Sequence, residues 1–295
     1  KIMRRLLPAL LAGMLLLAGC SSSEAAAASV TSAETSYASS EEAGEDPDTQ
    51  AVTLAETVLF DQDGIRITAT GLSTDSLFGP ELNLLVENDS AQNIVVQPNY
   101  CMVNGYMMDG LLSADVAAGK KANDTLDFLS NALARCGIET ITDIELDLVV
   151  SDGDSWQTLY ETGPVILQTS AAGQYTQTYD DSGEEIYNQN GIRVVAKSVN
   201  DDLFGMGIKF YLENNTDKAV IVNADNVSVN GYMMTDLFYS DLAPRSHAVD
   251  TLTLLGSELE DNHIDTITDA ELSLQITDAD YYQTIDSTAP ITLHF

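Results

Sequence analysis

The chain has 295 residues, 46 of them acidic against 12 basic, and a formal net charge of −34. Phosphate-rich partners are repelled by such a surface, so nucleic acid is excluded as a partner class and anionic lipid head groups are disfavoured on the same Coulombic ground. The plain reading of the charge is solubility, with a cationic ligand or calcium as the alternative.

Positions 1–19 read as a secretory signal peptide: Lys1, Arg4 and Arg5 precede an apolar run from Leu6 to Leu17 that is broken only by Pro8. That run is too short to span a bilayer. It ends in Leu17, Ala18, Gly19 and Cys20, which resembles the bacterial lipobox. The resemblance implies a diacylglyceryl group on Cys20, palmitate being a typical acyl chain, and Cys20 as the mature amino terminus. Each buried methylene contributes about 0.8 kcal/mol and a single chain anchors only marginally, so two chains make the attachment stable. The expected address is the extracytoplasmic face of the cell membrane, lipid-anchored. Losing the three basic residues of the signal leaves 9 basic against 46 acidic, a balance of −37. Residues 20–50 are rich in Ser, Ala, Thr, Glu and Asp and read as a disordered acidic tether.

The rest is a tandem duplication. Val103 to Met108 (VNGYMM) return unchanged as Val229 to Met234, at a spacing of 126, and Leu77, Phe78 and Gly79 return as Leu203, Phe204 and Gly205. Thr140 to Asp143 likewise return as Thr266 to Asp269. A period this long is a whole domain. The boundaries are a first repeat at 51–169, a polar linker at 170–184 and a second repeat at 185–295.

Within each repeat the apolar residues alternate with period two, which predicts half-buried strands. Ile65, Ile67 and Ala69 face inward, as do Leu82, Leu84 and Val86, and then Ile144, Leu146, Leu148 and Val150, with Glu145 and Asp147 facing out. The second repeat answers with Ile192, Val194 and Ala196, with Ile208, Phe210 and Leu212, and with Ala270, Leu272, Leu274 and Ile276. Turn signals at Asp63-Gly64, Asn88-Asp89-Ser90, Asn104-Gly105 and Asp152-Gly153 separate short antiparallel strands. Two short helices are expected, from Ser130 to Arg135 and from Ser257 to Asp261. Gly137 closes the first in a left-handed conformation, and Ser257 with Glu260 forms a capping box on the second. The predicted fold is all-β, each repeat a two-sheet sandwich.

Candidate sites are few. Asn-Gly favours a tight hairpin, since both central residues need positive φ, and at least one methionine of each VNGYMM then enters the core. Alternatively Tyr106, Met107, Met108, Tyr232, Met233 and Met234 form a duplicated binding patch, for which adaptable methionine and amphipathic tyrosine are suited. Cys101 and Cys136 occur only in the first repeat and are replaced together, by Val227 and Asn262, in the second; in an exported protein this joint presence predicts a disulfide. Closing that loop would stabilise the repeat by roughly 4 kcal/mol. Trp156 and its counterpart Tyr282 are expected as core filler, with exposed aromatics that stack on sugars as the alternative. Tyr175, Tyr179 and Tyr187 cluster around the linker and could pack between the repeats.

No metal site is expected, because His247, His263 and His294 lack ligand spacing, and Asp61, Asp63 and Gly64 begin an EF-hand-like loop without completing it. Extracellular modules bind calcium at roughly 0.1–1 mM, so weak calcium binding stays open. The catalytic fingerprints of nucleophile elbows, phosphate loops and dinucleotide folds are absent from the sequence, and no cofactor is expected beyond the lipid. Abundant carboxylates keep a glycosidase-type hydrolase in view, and the lipid anchor does the same for a transporter's solute-capturing lipoprotein. The repeated short strands argue against the two-lobed α/β fold of the latter.

The lipobox, the acidic tether and the pattern GIR, LFG, EN, VNGYMM in each copy together resemble lipoproteins of Gram-positive, clostridial-type bacteria that carry telokin-like, immunoglobulin-like domains. The resemblance implies two tandem immunoglobulin-like β-sandwiches on the cell surface and brings no catalytic residues. Trp156 follows both cysteines, which departs from the antibody arrangement of paired cysteines flanking a tryptophan. The expected role is non-enzymatic binding of an extracellular protein or glycan, with a passive surface spacer as the alternative.

Overall fold

The computed structural model describes residues 51–202, 204–235 and 237–295, which lie within one unit, Thr49–Phe295. The signal, Cys20 and the tether fall outside the described residues. Strands of the first repeat are β1 (Thr57–Gln62), β2 (Ile65–Ser73), β3 (Glu81–Asn88), β4 (Ile94–Val103), β5 (Tyr106–Met108), β6 (Gly110–Leu111), β7 (Ala114–Val116) and β8 (Lys120–Phe128). Helix α1 (Ser130–Arg135) leads to β9 (Asp143–Asp152), β10 (Thr158–Glu161) and β11 (Val165–Gln168). The second repeat runs β12 (Glu184–Gln189), β13 (Ile192–Asp202), β14 (Gly205–Asn214), β15 (Val220–Val229), β16 (Tyr232–Met233), β17 (Tyr239–Leu242) and β18 (Ser246–Leu255). It closes with helix α2 (Gly256–Asp261), β19 (Asp269–Asp278), β20 (Thr284–Ser287) and β21 (Ile291–His294). Among the described residues no helix is long and apolar enough to cross a membrane.

The fold is all-β, and the two repeats share one strand plan. One sheet of the first repeat has the order β1-β2-β3-β8-β6; the facing one places β9 beside β4, with β10 and β11 on the outer side of β9 and β5 and β7 on that of β4. In the second repeat β12, β13, β14 and β18 take the places of β1, β2, β3 and β8, while β19 and β15 take those of β9 and β4. The alternating residues named above meet between the sheets: Ile67, Leu84 and Val86 face Val96, Leu146 and Val150 in one core, and Val194, Phe210 and Leu212 face Val222, Leu272 and Leu274 in the other. Asp147, expected to face out, is buried. Its carboxylate accepts hydrogen bonds from Asn99 Nδ2 (2.9 Å) and Thr162 Oγ1 (3.2 Å), which offset the cost of burial.

The helix at 130–135 forms where the sequence placed it, and Gly137 follows at φ +64°. In the second repeat His263 adopts the same left-handed turn at φ +57°. The capping box of Ser257 and Glu260 is not formed: Leu255 is the N-cap, and no side chain caps α2. Ser257 lies one residue inside the helix, past the position from which a hydroxyl can reach the free amides.

One pairing joins the repeats. Strand β5 lies parallel to the start of β18, Tyr106 opposite His247, and makes a single sheet in the order β10-β9-β4-β5-β18-β14-β13-β12.

Candidate functional site

Most of the repeated motifs serve the backbone. Asn104 and Gly105 have φ +51° and +78°, and Asn230 and Gly231 have φ +50° and +84°, so both VNGYMM segments turn as the Asn-Gly pair requires. Each asparagine then does a second task that sequence reasoning missed. Asn104 Oδ1 accepts from the Thr142 amide (2.7 Å) and hydroxyl (2.8 Å), while its Nδ2 donates to the Thr140 carbonyl (2.8 Å). Asn230 repeats this with Thr268 and Thr266 at 2.8–3.0 Å. The joint retention of Asn-Gly and Thr-Ile-Thr-Asp at one spacing was the available signal. In the LFG segments the glycines have φ +141° and +151°, and a Cβ would stand 2.1 Å from the Phe128 carbonyl oxygen at Gly79 and 2.4 Å from that of Leu254 at Gly205. Only glycine fits there. Asn88 and Asn214 of the EN pairs are buried, holding the carbonyls of Val116 (2.9 Å) and Ala243 (2.8 Å).

The six candidate binding residues do not share one fate. Tyr106 is 1% exposed, against 49% for Tyr232. Met107 is half-buried and packs against the second core, whereas Met233 is 66% exposed. Met108 and Met234 are both buried in their own cores.

The difference comes from what lies beyond β5. The His247 amide donates to the Gly105 carbonyl (2.9 Å), the Ala243 amide approaches Met107 Sδ (3.5 Å), and the Tyr179 hydroxyl donates to the Asn104 carbonyl (3.0 Å). Tyr179 stacks on the His247 ring at 3.8 Å and tilts against Tyr106 at 5.2 Å. The Tyr211 hydroxyl lies 2.7 Å from His247 Nδ1, a hydrogen bond whose donor is set by the imidazole tautomer. Val195, Tyr211 and Val249 of the second repeat are buried with the first core. Burial pushes the Tyr106 and Tyr211 phenols up and holds His247 below its ordinary value, with the Glu213 carboxylate acting in the opposite direction. Tyr179 thus packs at the junction as the linker reading proposed; Tyr187 instead donates to Asp286 (2.8 Å) in the second repeat.

At β16 no strand among the described residues takes the place of β18. Its pairing, Ser228 with Met233 and Val229 with Tyr232, is to β15 alone. Tyr239 on β17 pairs with Asn223 of β15 and is also exposed, as is Leu237.

Two expectations need correction. Cys101 and Cys136 are not bridged; both are buried free thiols. Cys101 Sγ donates to the Met108 carbonyl (3.2 Å), and Val227 takes the equivalent place in the second core, so the site asks for a small apolar group. Burial pushes the two thiols up, to about 12 for Cys101 and about 11 for Cys136. Trp156 and Tyr282 are not core filler: both are exposed, at φ +59° and +55°, on turns organised by Asp152 and Asp278. Asp61, Asp63 and Gly64 form a hairpin turn in which Asp63 accepts from the Tyr160 hydroxyl (2.8 Å) and Asp61 pairs with Arg66 (3.0 Å).

No family model matches the chain, and no curated protein matches it. Among solved structures it is similar to the YadV chaperone, at 10% identity over 73% of this chain and 92% of that one, with a TM-score of 0.23. It is also similar to the exo-chitosanase CsxA of Amycolatopsis orientalis, at 12% identity over 79% of this chain and 26% of that one, TM-score 0.23. A third likeness is to the CsuC–CsuE chaperone–tip adhesion subunit complex of Acinetobacter baumannii, at 12% identity over 72% and 90%, TM-score 0.21. Likenesses at these TM-scores carry no argument about fold or activity.

Proposed function

We propose that this chain is a lipid-anchored, extracytoplasmic, non-enzymatic interaction module built from two tandem immunoglobulin-like β-sandwich domains. The supporting observation is the inequality of the two VNGYMM segments: the first is consumed by the junction, while the second leaves Tyr232 and Met233 exposed on an edge that pairs with β15 alone. An edge strand with unpaired backbone groups and large apolar side chains is a template for another strand. The alternative reading, a passive surface spacer, draws support from the continuous sheet through both repeats, which commits the first VNGYMM edge to holding them together.

Two measurements test the proposal. Palmitate labelling in cells should mark the wild-type chain and not Cys20→Ser; equal labelling of both would end the lipid-anchor reading. Photo-methionine incorporated in place of methionine should then crosslink the native surface protein from position 233 and not from the buried position 234. Absence of any adduct at 233 would leave the spacer.

A further inference from the structure

We propose that the protein associates head to tail with a second copy of itself, the β16 edge of one chain adding to the β8 edge of the next. This rests on the interaction-module reading and names its partner. The geometry is taken from the junction within the chain. There, β18 is divided along its length: Leu237 bridges to Thr253 near its end, and β5 occupies its beginning at His247. Strand β8 is its counterpart at the spacing of 126, and is divided the same way. Its last residues carry β6, with Gly110 opposite Phe128 and Leu111 opposite Asp127. Its beginning, at Lys120 and Lys121, pairs on one side with Asn88 and Glu87 of β3, and no strand among the described residues lies on the other side. Lys121 is the counterpart of His247.

Each chain therefore keeps one unused half of the junction at either repeat: a donor edge at Tyr232 and an acceptor edge at Lys121. The two halves differ, so pairing between copies is heterologous and extends as an open chain unless its rotation happens to close. Backbone geometry supplies the register. The Lys121 amide of one copy would donate to the Gly231 carbonyl of another, as the His247 amide does to Gly105.

Side-chain chemistry explains why this joint is weaker and more selective than the internal one. Where the second repeat offers Val195, Tyr211 and Val249 to Tyr106, the first offers Thr68, Leu85 and Asn123. In place of the stacked His247 stand Lys120 and Lys121, the only adjacent lysines in the sequence. Lysine on an edge strand blocks indiscriminate pairing. Here the donor margin is acidic: Asp269, whose amide donates to Asn230 Oδ1 (3.2 Å), lies beside the turn, with Asp265 and Glu271 near it in the chain. Lys121 Nζ is ion-paired with Glu87 of its own chain, so Lys120 carries the opposite charge that favours this pairing over others and makes it sensitive to salt.

The test is sedimentation velocity of the full chain carrying Cys20→Ser, at concentrations up to about 1 mM, where weak specific association is populated. Removing the lipidated residue separates this result from any failure of the anchor reading. The average mass should rise with concentration and fall back on adding salt. Met233→Lys on the donor edge and Lys121→Glu on the acceptor edge should each give monomers, and an equimolar mixture of the two should recover association, because each retains the edge the other lacks. Both positions are exposed, and unchanged circular dichroism would verify that the variants fold. A monomer at every concentration would overturn the proposal. So would self-association lost in Met233→Lys and kept in Lys121→Glu, which would indicate β16 pairing with itself, or association kept in both.

Discussion

Tyr106 and Tyr232 stand in identical six-residue segments, turn through the same Asn-Gly hairpin and are anchored by the same asparagine, yet one is enclosed and the other is half in water. The six residues themselves do not separate them. The difference lies in the next strand: β5 has β18 beyond it, whereas among the described residues β16 pairs with β15 alone. Motif retention in a duplicated chain therefore has two sources. One is the turn itself, which both copies need; the other is the edge it builds, which the copies use differently.

The most forceful way to break the symmetry is truncation. Tyr106→Ala removes a ring packed among Tyr179, His247 and the first core, and should lower stability by about 3–5 kcal/mol, as loss of a large buried aromatic does. Tyr232→Ala should change it by no more than about 0.5 kcal/mol. Urea unfolding of the two variants measures both, and equal effects would sink the distinction drawn between the edges.

The asparagines sharpen it next. Asn104→Ala leaves the buried amide and hydroxyl of Thr142 without their acceptor and places a Cβ-bearing residue without a side-chain amide at φ +51°; about 2–3 kcal/mol should be lost. At the more open Asn230 the same change should cost about 1 kcal/mol, since water can replace part of the lost bonding. The ranking, more than either value, is the result to check by thermal unfolding.

Acid should loosen only the first copy's junction. Burial holds His247 below its ordinary value, Glu213 opposes that shift, and the facing Tyr106, Tyr179 and Tyr211 hydroxyls remain protonated. The undocked state, with the ordinary value of about 6.5, binds the extra proton more readily. The junction is accordingly strongest above that value and weakens as pH falls towards the depressed one. Met107 oxidation should quicken between about pH 7.5 and 5.5, Met233 should be fast throughout, and His247→Phe should flatten the response. A rate at Met107 that ignores pH in the wild type would remove His247 from this role.

The smallest effect is a null one on the surface. At pH 8 neither Cys101 nor Cys136 should react with iodoacetamide in the folded protein, both being buried thiols whose values are pushed up to about 12 and about 11. Two labels should appear only after unfolding, without reductant. Intact mass reads both stages, and an unfolded chain that takes up no label at these positions would restore the disulfide.

Much of the fold was legible because duplication doubled every signal. Alternation placed Ile65, Leu84 and Leu146 in the core, and Asn-Gly placed both hairpins. What stayed hidden depends on distant partners. A three-residue strand such as β5 has no periodicity to read, and its parallel pairing with β18 leaves no turn between them in the sequence. Trp156 and Tyr282 misled because size suggests burial, while positive φ on an Asp-organised turn points them outward. The cysteines misled because their joint disappearance fits a bridge as well as it fits two independent packing sites. His247 was read only for metal spacing, and its role comes from three rings that no spacing brings together.

The parallel pairing of Tyr106 with His247 also has a consequence in time. The first repeat can fold from its own strands as the chain emerges, but the wall that covers Tyr106 is made later. At synthesis rates of about 5–20 residues/s, the interval between the two is on the order of ten seconds. Throughout that interval the nascent chain presents the same open edge in its first repeat that the finished one presents in its second, so a competitor arriving early has a target that the mature molecule has already closed.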